Sequence, residues 1–183
     1  MGLTETEGER SEYAELVRRL EAAQESDVVE QALSAARDHL GMDASYLTTI
    51  DSRNQTIHAL VSDDQDAVKR YQGSVFPVEQ TFCMRMLGGE IPNMVADTAA
   101  EPAISHLPAA TEFHAYIGVP VTLADGRVHG TLCCVSHAPR TELVDEELRF
   151  MHVLAGIVGA RIDQACGDLT RLTERFGDGD GAA

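Results

Sequence analysis

Residues 115–136 read AYIGVPVTLADGRVHGTLCCVS, and this stretch decides the fold. Apolar and β-branched residues dominate 116–123 and 128–136, the composition of β-strands. Between them stands ADGR, residues 124–127, with Asp-Gly at its centre, a strong short-range signal for a hairpin turn. In the second strand Leu132, Cys134 and Ser136 share one face, and Thr131, Cys133 and Val135 share the other. A run apolar on both faces is expected in the middle of a sheet covered on both sides.

Upstream, ASYLTTI at 44–50, the turn-like DSRNQ at 51–55 and the strand pattern at 56–61 predict a second antiparallel hairpin. Before it, Asp27 as N-cap and Glu30 three residues later open a helix. Its apolar stripe is Val29, Leu33, Ala36 and Leu40, and Gly41 ends it. An earlier stripe, Tyr13, Leu16, Leu20 and Ala23, predicts another helix. The middle of the chain predicts a short helix at 67–71, a helix at 79–87 closed by Gly88-Gly89, and a short strand at 91–95. Residues 96–114 show no clean period and read as a lid.

Downstream, Asp145, Glu146 and Glu147 open a long helix over 143–176. Leu148, Met151, Ala155, Val158, Ile162, Ala165, Leu169, Leu172 and Phe176 are spaced alternately three and four apart, a seam suited to pairing with another helix. Up to Val158 a second row, Phe150, Leu154 and Ile157, runs beside it. The first half of the helix thus has two faces to bury, and one can cover the chain's own sheet. The order of elements predicts an α+β fold with an antiparallel sheet. One domain at 11–176 carries N-terminal helices (11–40) and the long C-terminal helix, between polar tails at 1–10 and 177–183.

The 183 residues hold 14 basic and 30 acidic side chains, a net charge of −16. Such a surface repels phosphate backbones and anionic lipid, so neither nucleic acid nor membrane is an expected partner. No apolar run of about 18 residues exists to span a bilayer, and MGLTETEGER is no secretory signal. The four cysteines, Cys83, Cys133, Cys134 and Cys166, form no C-x-x-C pair. Reduced thiols in a cytoplasmic protein are expected. No phosphate loop, nucleophile elbow or zinc-protease motif occurs, so neither a metal nor a particular cofactor is called for.

Two segments carry a family resemblance: FCMRMLGGEIPNMVADT at 82–98 and AYIGVPVTLADGRVHGTLCCVS at 115–136, followed by a helix at 142–160. A Cys-bearing helix, Gly-Gly-Glu-Ile-Pro, a strand ending in Asp, Gly-Val-Pro, Asp-Gly-Arg and Gly-Thr-Leu, in this order, resemble the GAF family of small-molecule sensor domains. The resemblance covers about residues 26–165. It implies a PAS/profilin-like antiparallel sheet of about six strands. Terminal helices that join in dimers would cover one face, and a ligand pocket roofed by 76–114 would lie on the other.

The resemblance also separates the chemistries of that family. Bilin-binding members carry Pro-x-His before the Gly-Val strand; here Pro108 is followed by Ala110 at the His position. Free methionine sulfoxide reductases use several cysteines and an acid near Gly-Val-Pro. Cys83 stands near one such cysteine, but 96–114 holds none and Gly118 occupies the acid's place, so a resolving thiol is missing. The Asn-Lys start of cyclic-nucleotide-binding members is absent, since the one lysine, Lys69, follows Val68. Phytochrome-like relatives turn the Ser136 side toward the chromophore, which makes Cys134 and Ser136 pocket-facing.

The reading is a non-catalytic sensory domain that binds an unidentified small molecule and signals through dimeric terminal helices to a separate output protein. A thiol sensor or sulfoxide reductase using Cys83, and a bilin photoreceptor, are the alternatives. The pocket candidates are Phe76, Phe82, Cys83, Met86, Asp97, His106, Phe113, His114, Tyr116, Cys134 and Ser136. The dimer seam comprises Leu16, Leu20, Leu148, Met151, Val158, Ile162, Leu169 and Leu172.

Overall fold

A computed structural model describes residues 27–177, with side chains to 171. The expected first helix with Leu16 and Leu20, the tails at 1–10 and 178–183 and the side chain of Leu172 lie outside the described residues. The quoted stretch forms a hairpin of β5 (Ala115–Thr122) and β6 (Val128–Ser136). Gly126 turns it at φ 86°, a left-handed conformation that a Cβ would strain. Beside β6 lies β1 (Ala44–Ile50), which pairs in turn with β2 (Asn54–Ser62). The short strands β3 (Val75–Pro77) and β4 (Met94–Val95) close the two edges. The sheet has six strands in the order β3-β2-β1-β6-β5-β4, and every neighbouring pair is antiparallel.

The sheet separates two apolar clusters. On one face lie α1 (27–40) and α4 (Asp145–Gly177), which bury Leu33, Ala36, Ile117, Val119, Leu132 and Cys134. The Arg140 guanidinium donates to the carbonyls of Leu40 and Gly41, so a cation closes the C-terminus of α1. On the other face lie α2 (Gln65–Tyr71), α3 (Phe82–Leu87) and the 96–114 segment. That segment is packed down by Ile104, Leu107 and Ala110, all buried. Among the described residues, no helix is long and apolar enough to cross a membrane.

Several local expectations change. The helix expected at 79–87 is interrupted at Thr81, which caps α3 by accepting the Met84 N–H at 3.2 Å; a turn of 3-10 helix (Val78–Gln80) precedes it. The strand expected at 91–95 shortens to two residues, and β3 forms where no strand was expected. The largest correction concerns α4. Met151, Val158 and Ile162, assigned to an interchain seam, are 0, 0 and 5% exposed within the single chain. Their row packs on the sheet because α4 crosses β5 closely: a Cβ on Gly159 would stand 2.7 Å from the Thr122 carbonyl oxygen. Leu148 is half-buried against the same cluster. The residues α4 turns outward are Val153 and Ile157, 61 and 50% exposed, with Leu169 at 40% beyond them.

Candidate functional site

On the face away from α1 and α4, a cavity of about 230 Å³ lies between β1, β2, α2, α3 and the 96–114 segment. Tyr46, Ile57, Tyr71, Phe76, Phe82 and Phe113 supply aromatic and apolar walls. Phe113 meets the Tyr71 ring edge-on at 6.3 Å and stacks on His137 at 5.1 Å. The Tyr71 hydroxyl donates to Glu112 Oε2 at 2.6 Å. Burial raises the Tyr71 pKa, and the bond to Glu112 adds to the shift. No lysine or arginine lines the cavity, and its one carboxylate is Glu112. One polar group stands out. Gln55 is 4% exposed, and its Oε1 has no hydrogen-bond partner. Leaving such an oxygen unsatisfied costs about 1–3 kcal/mol.

Behind the Tyr46 and Phe82 walls lies a buried sulfur-and-hydroxyl cluster. Register places Tyr46 opposite Cys133 and Gly118 opposite Cys133 on the other side, so these residues share one face of the sheet. The α3 helix lowers Cys83 onto it. The two thiols, Cys83 Sγ and Cys133 Sγ, are 3.5 Å apart. The Tyr116 hydroxyl lies 3.5 Å from Cys133 Sγ, and that of Tyr46 lies 3.9 Å from Cys83 Sγ. Thr131 and Thr48 join their hydroxyls at 2.7 Å beside them. Gly118 makes room for the Tyr116 ring: a Cβ there would stand 2.1 Å from the phenol oxygen and 3.0 Å from Cys133 Sγ.

The hydrogen bond from Cys133 brings Cys83 down to about 7, aided by Thr131, Tyr116 and Tyr46 and against the effect of burial. Burial first, and the Cys83 neighbour second, hold Cys133 well above the ordinary thiol range. The pair therefore parts with its first proton easily and its second with difficulty.

A family model described as GAF domain matches residues 22–163. The chain belongs to the GAF domain family. It is 25% identical over 161 residues to a cyclic di-GMP phosphodiesterase from Pseudomonas aeruginosa, matching 86% of this chain and 26% of that protein. The chain thus spans about a quarter of that relative's length. Among solved structures, the Thermosynechococcus elongatus PixJ GAF domain, in its blue-light absorbing form, superposes with a TM-score of 0.64. It is 15% identical, covering 88% of this chain and 97% of that one. The GAF-B domain of DevS from Mycobacterium smegmatis gives a TM-score of 0.59 at 15% identity, covering 81% of this chain and 98% of that one. At these identities the likeness is one of fold.

Within this GAF domain the expected pocket residues divide. Phe76, Phe82 and Phe113 line the cavity. Cys83, Met86 and Tyr116 are buried in the apolar cluster behind it. His106 is exposed, and neither it nor His114 lines the cavity. Asp97 closes a local turn by accepting the Ala99 N–H at 3.0 Å, so it too lies outside.

Cys134 and Ser136 are corrected to the opposite face. Cys134 pairs with Ser45 and Ile117, and the Ser45 hydroxyl donates to the Leu33 carbonyl of α1 at 2.6 Å. Cys134 therefore looks toward the helices, and strand alternation turns Cys133 and Val135 toward the cavity side. Ser136 donates instead to the Asp43 carboxylate at 3.1 Å.

A second thiol, Cys133, does stand beside Cys83. It comes from β6, 50 residues from Cys83, and not from the 96–114 segment. Tyr46, Gln55, Tyr71 and His137 line the cavity without having been expected there. Gln55 carried one signal: an amide in a strand whose neighbour Ile57 faces the same buried side. Among the described residues, no three His, Cys, Asp or Glu side chains gather in a metal-binding group.

Proposed function

We propose that this GAF domain is a non-catalytic sensor that binds a small, flat, uncharged or cationic molecule in the cavity between β2, α2, α3 and the 96–114 segment. The observation that carries the reading is the buried Gln55 Oε1, an acceptor with no partner in the chain. An N–H or O–H group on a ligand satisfies it. Aromatic walls favour a ring, and Glu112 with no opposing lysine or arginine disfavours an anion. The volume of about 230 Å³ lies below the roughly 300–1,000 Å³ of drug-sized sites, so a tetrapyrrole is too large for it. The free, unbridged cysteines suit a reducing cytoplasm.

Output runs through α4, which packs on β5 and β6 on the opposite face of the sheet from the cavity. The row left to a second copy of the chain is Val153 and Ile157, and helix movement at such a seam passes a binding event to a separate partner protein.

Ligand-observed NMR with single- and fused-ring compounds tests the binding. Amides, heteroaromatic amines and their cations should bind, and matched carboxylates and phosphates should not. Gln55→Leu should weaken the best binder roughly tenfold while the protein stays folded. Equal binding to Gln55→Leu, or preference for the anions, would overturn the reading.

A further inference from the structure

We infer that Cys83 and Cys133 form a reversible redox pair, oxidised by a small hydroperoxide to an intrachain disulfide between α3 and the central strand β6. The geometry carries this. Two thiols from distant parts of the chain stand 3.5 Å apart, so closing the bond requires only a small shift of the short helix α3 toward the sheet. Tyr116 and Tyr46 place hydroxyls at 3.5 and 3.9 Å from the two sulfurs, where they donate to a thiolate. The proton ordering within the pair makes Cys83 the attacking sulfur and leaves Cys133 as the thiol that resolves.

Both sulfurs are buried, at 1 and 0% exposure, which excludes bulky oxidants. A hydroperoxide as small as hydrogen peroxide is close to water in size. It reaches the pair from the cavity, past Tyr46 and Phe82, which border both.

The chemistry balances. The Cys83 thiolate attacks one peroxide oxygen, and the O–O bond breaks. Cys83 becomes the sulfenic acid, and the departing oxygen takes a proton to leave as water or alcohol. Cys133 sulfur then attacks the Cys83 sulfur. The S–O bond breaks, the Cys133 proton leaves with the hydroxide as water, and the S–S bond forms. The two sulfurs give up two electrons and the peroxide accepts them. A dithiol reductant restores both thiols by exchange.

Cys134 and Cys166 are internal controls. Cys134 is equally buried but on the helix face, where burial keeps it a neutral thiol. Cys166 is exposed on α4. The reduced full chain is treated with hydrogen peroxide at neutral pH, quenched, denatured, alkylated and peptide-mapped. A Cys83–Cys133 linked peptide, lighter by two hydrogens and reversed by dithiothreitol, is expected, with Cys134 still alkylated.

Hydrogen bonds from Cys133 and its neighbours favour the Cys83 thiolate, while burial keeps Cys134 protonated, so Cys83 should be oxidised roughly tenfold faster or more than Cys134. In Cys133→Ser, whose hydroxyl still donates to Cys83, Cys83 should stop at a sulfenic acid, captured by dimedone present as the peroxide-treated protein is denatured. Linkage of Cys83 to Cys166 instead, or oxidation confined to Cys166 in the wild type, would overturn the assignment. The wild-type map decides the matter even where a variant fails to fold.

Discussion

Gln55 holds a buried carbonyl oxygen that no group of the chain satisfies, and this gives a trade between stability and binding. Gln55→Leu removes the unsatisfied atom and keeps the volume. It should stabilise the domain by about 1 kcal/mol, a rise in Tm of roughly 2–4 °C, while weakening the ligand. A melting curve shifted downward would contradict the assignment. Gly118 is the opposite case. A Cβ there would stand 2.1 Å from the Tyr116 phenol oxygen, and Tyr116 is fully buried. Gly118→Ala should destabilise the fold by about 1–3 kcal/mol through overpacking, measured by denaturant unfolding, and should separate Tyr116 from Cys133.

The buried sulfurs and phenols also set an alkaline limit. Burial raises Tyr46, Tyr116, Cys133 and Cys134 above their ordinary values of 10.0 and 9.0. Unfolded, these groups release protons from about pH 9 upward; folded, they keep them. The folded state then binds more protons, so stability falls with rising pH by about 1.4 kcal/mol per unit for each such group. Cys83 acts in reverse. Its folded value of about 7 lies under the ordinary 9.0, so its contribution is complete above pH 9 and is lost as pH falls through 7. Denaturant midpoints constant from pH 8 to 11 would refute this.

At the scale of elements, α4 has two apolar rows with different duties. Met151 and Val158 are fully buried on the sheet, and Val153 and Ile157 face outward. Met151→Ala should cost about 2–5 kcal/mol. Val153→Asp with Ile157→Asp should leave the unfolding midpoint of the single domain nearly unchanged and abolish self-association in sedimentation experiments. A lost fold in the double variant would mean that the outward row is also core. The regular three-four spacing named one row as the seam, yet both rows fit a helix that needs a sheet on one side. Proximity to β5 at Gly159 chose which row went inward.

At the scale of the whole molecule, the charge of −16 governs what approaches. The cavity adds a carboxylate and no cation to that field. Cyclic di-GMP, the nucleotide in the name of the Pseudomonas relative, and other phosphorylated nucleotides should therefore show no heat of binding in calorimetry. Measurable affinity for them would require a cation at the site that the lining does not contain. Two copies of the chain repel each other for the same reason. Self-association should strengthen as salt rises, because the Debye length shortens from about 30 Å at 0.01 M to about 8 Å at 0.15 M. A sedimentation coefficient that stays that of a monomer at high salt would remove the dimer from the proposed route of output.

The hairpin at 115–136, the 27–40 helix, the long C-terminal helix and the α+β antiparallel class were legible in the sequence. Periodicity and turn residues are local signals, and these elements obey them. Phe76, Phe82 and Phe113 line the cavity, and it was the family resemblance, which put a pocket under residues 76–114, and not a local signal that pointed to them. The choice between Cys133 and Cys134 was not legible. Alternation says only that neighbours oppose; which side receives the helices depends on the pairing of β6 with β1, more than 80 residues away in the chain. The same holds for Gln55 and for the meeting of Cys83 with Cys133. Each depends on strand register and on where α3 comes to rest, and those are decided by long-range packing, which leaves no periodic mark on the residues it brings together.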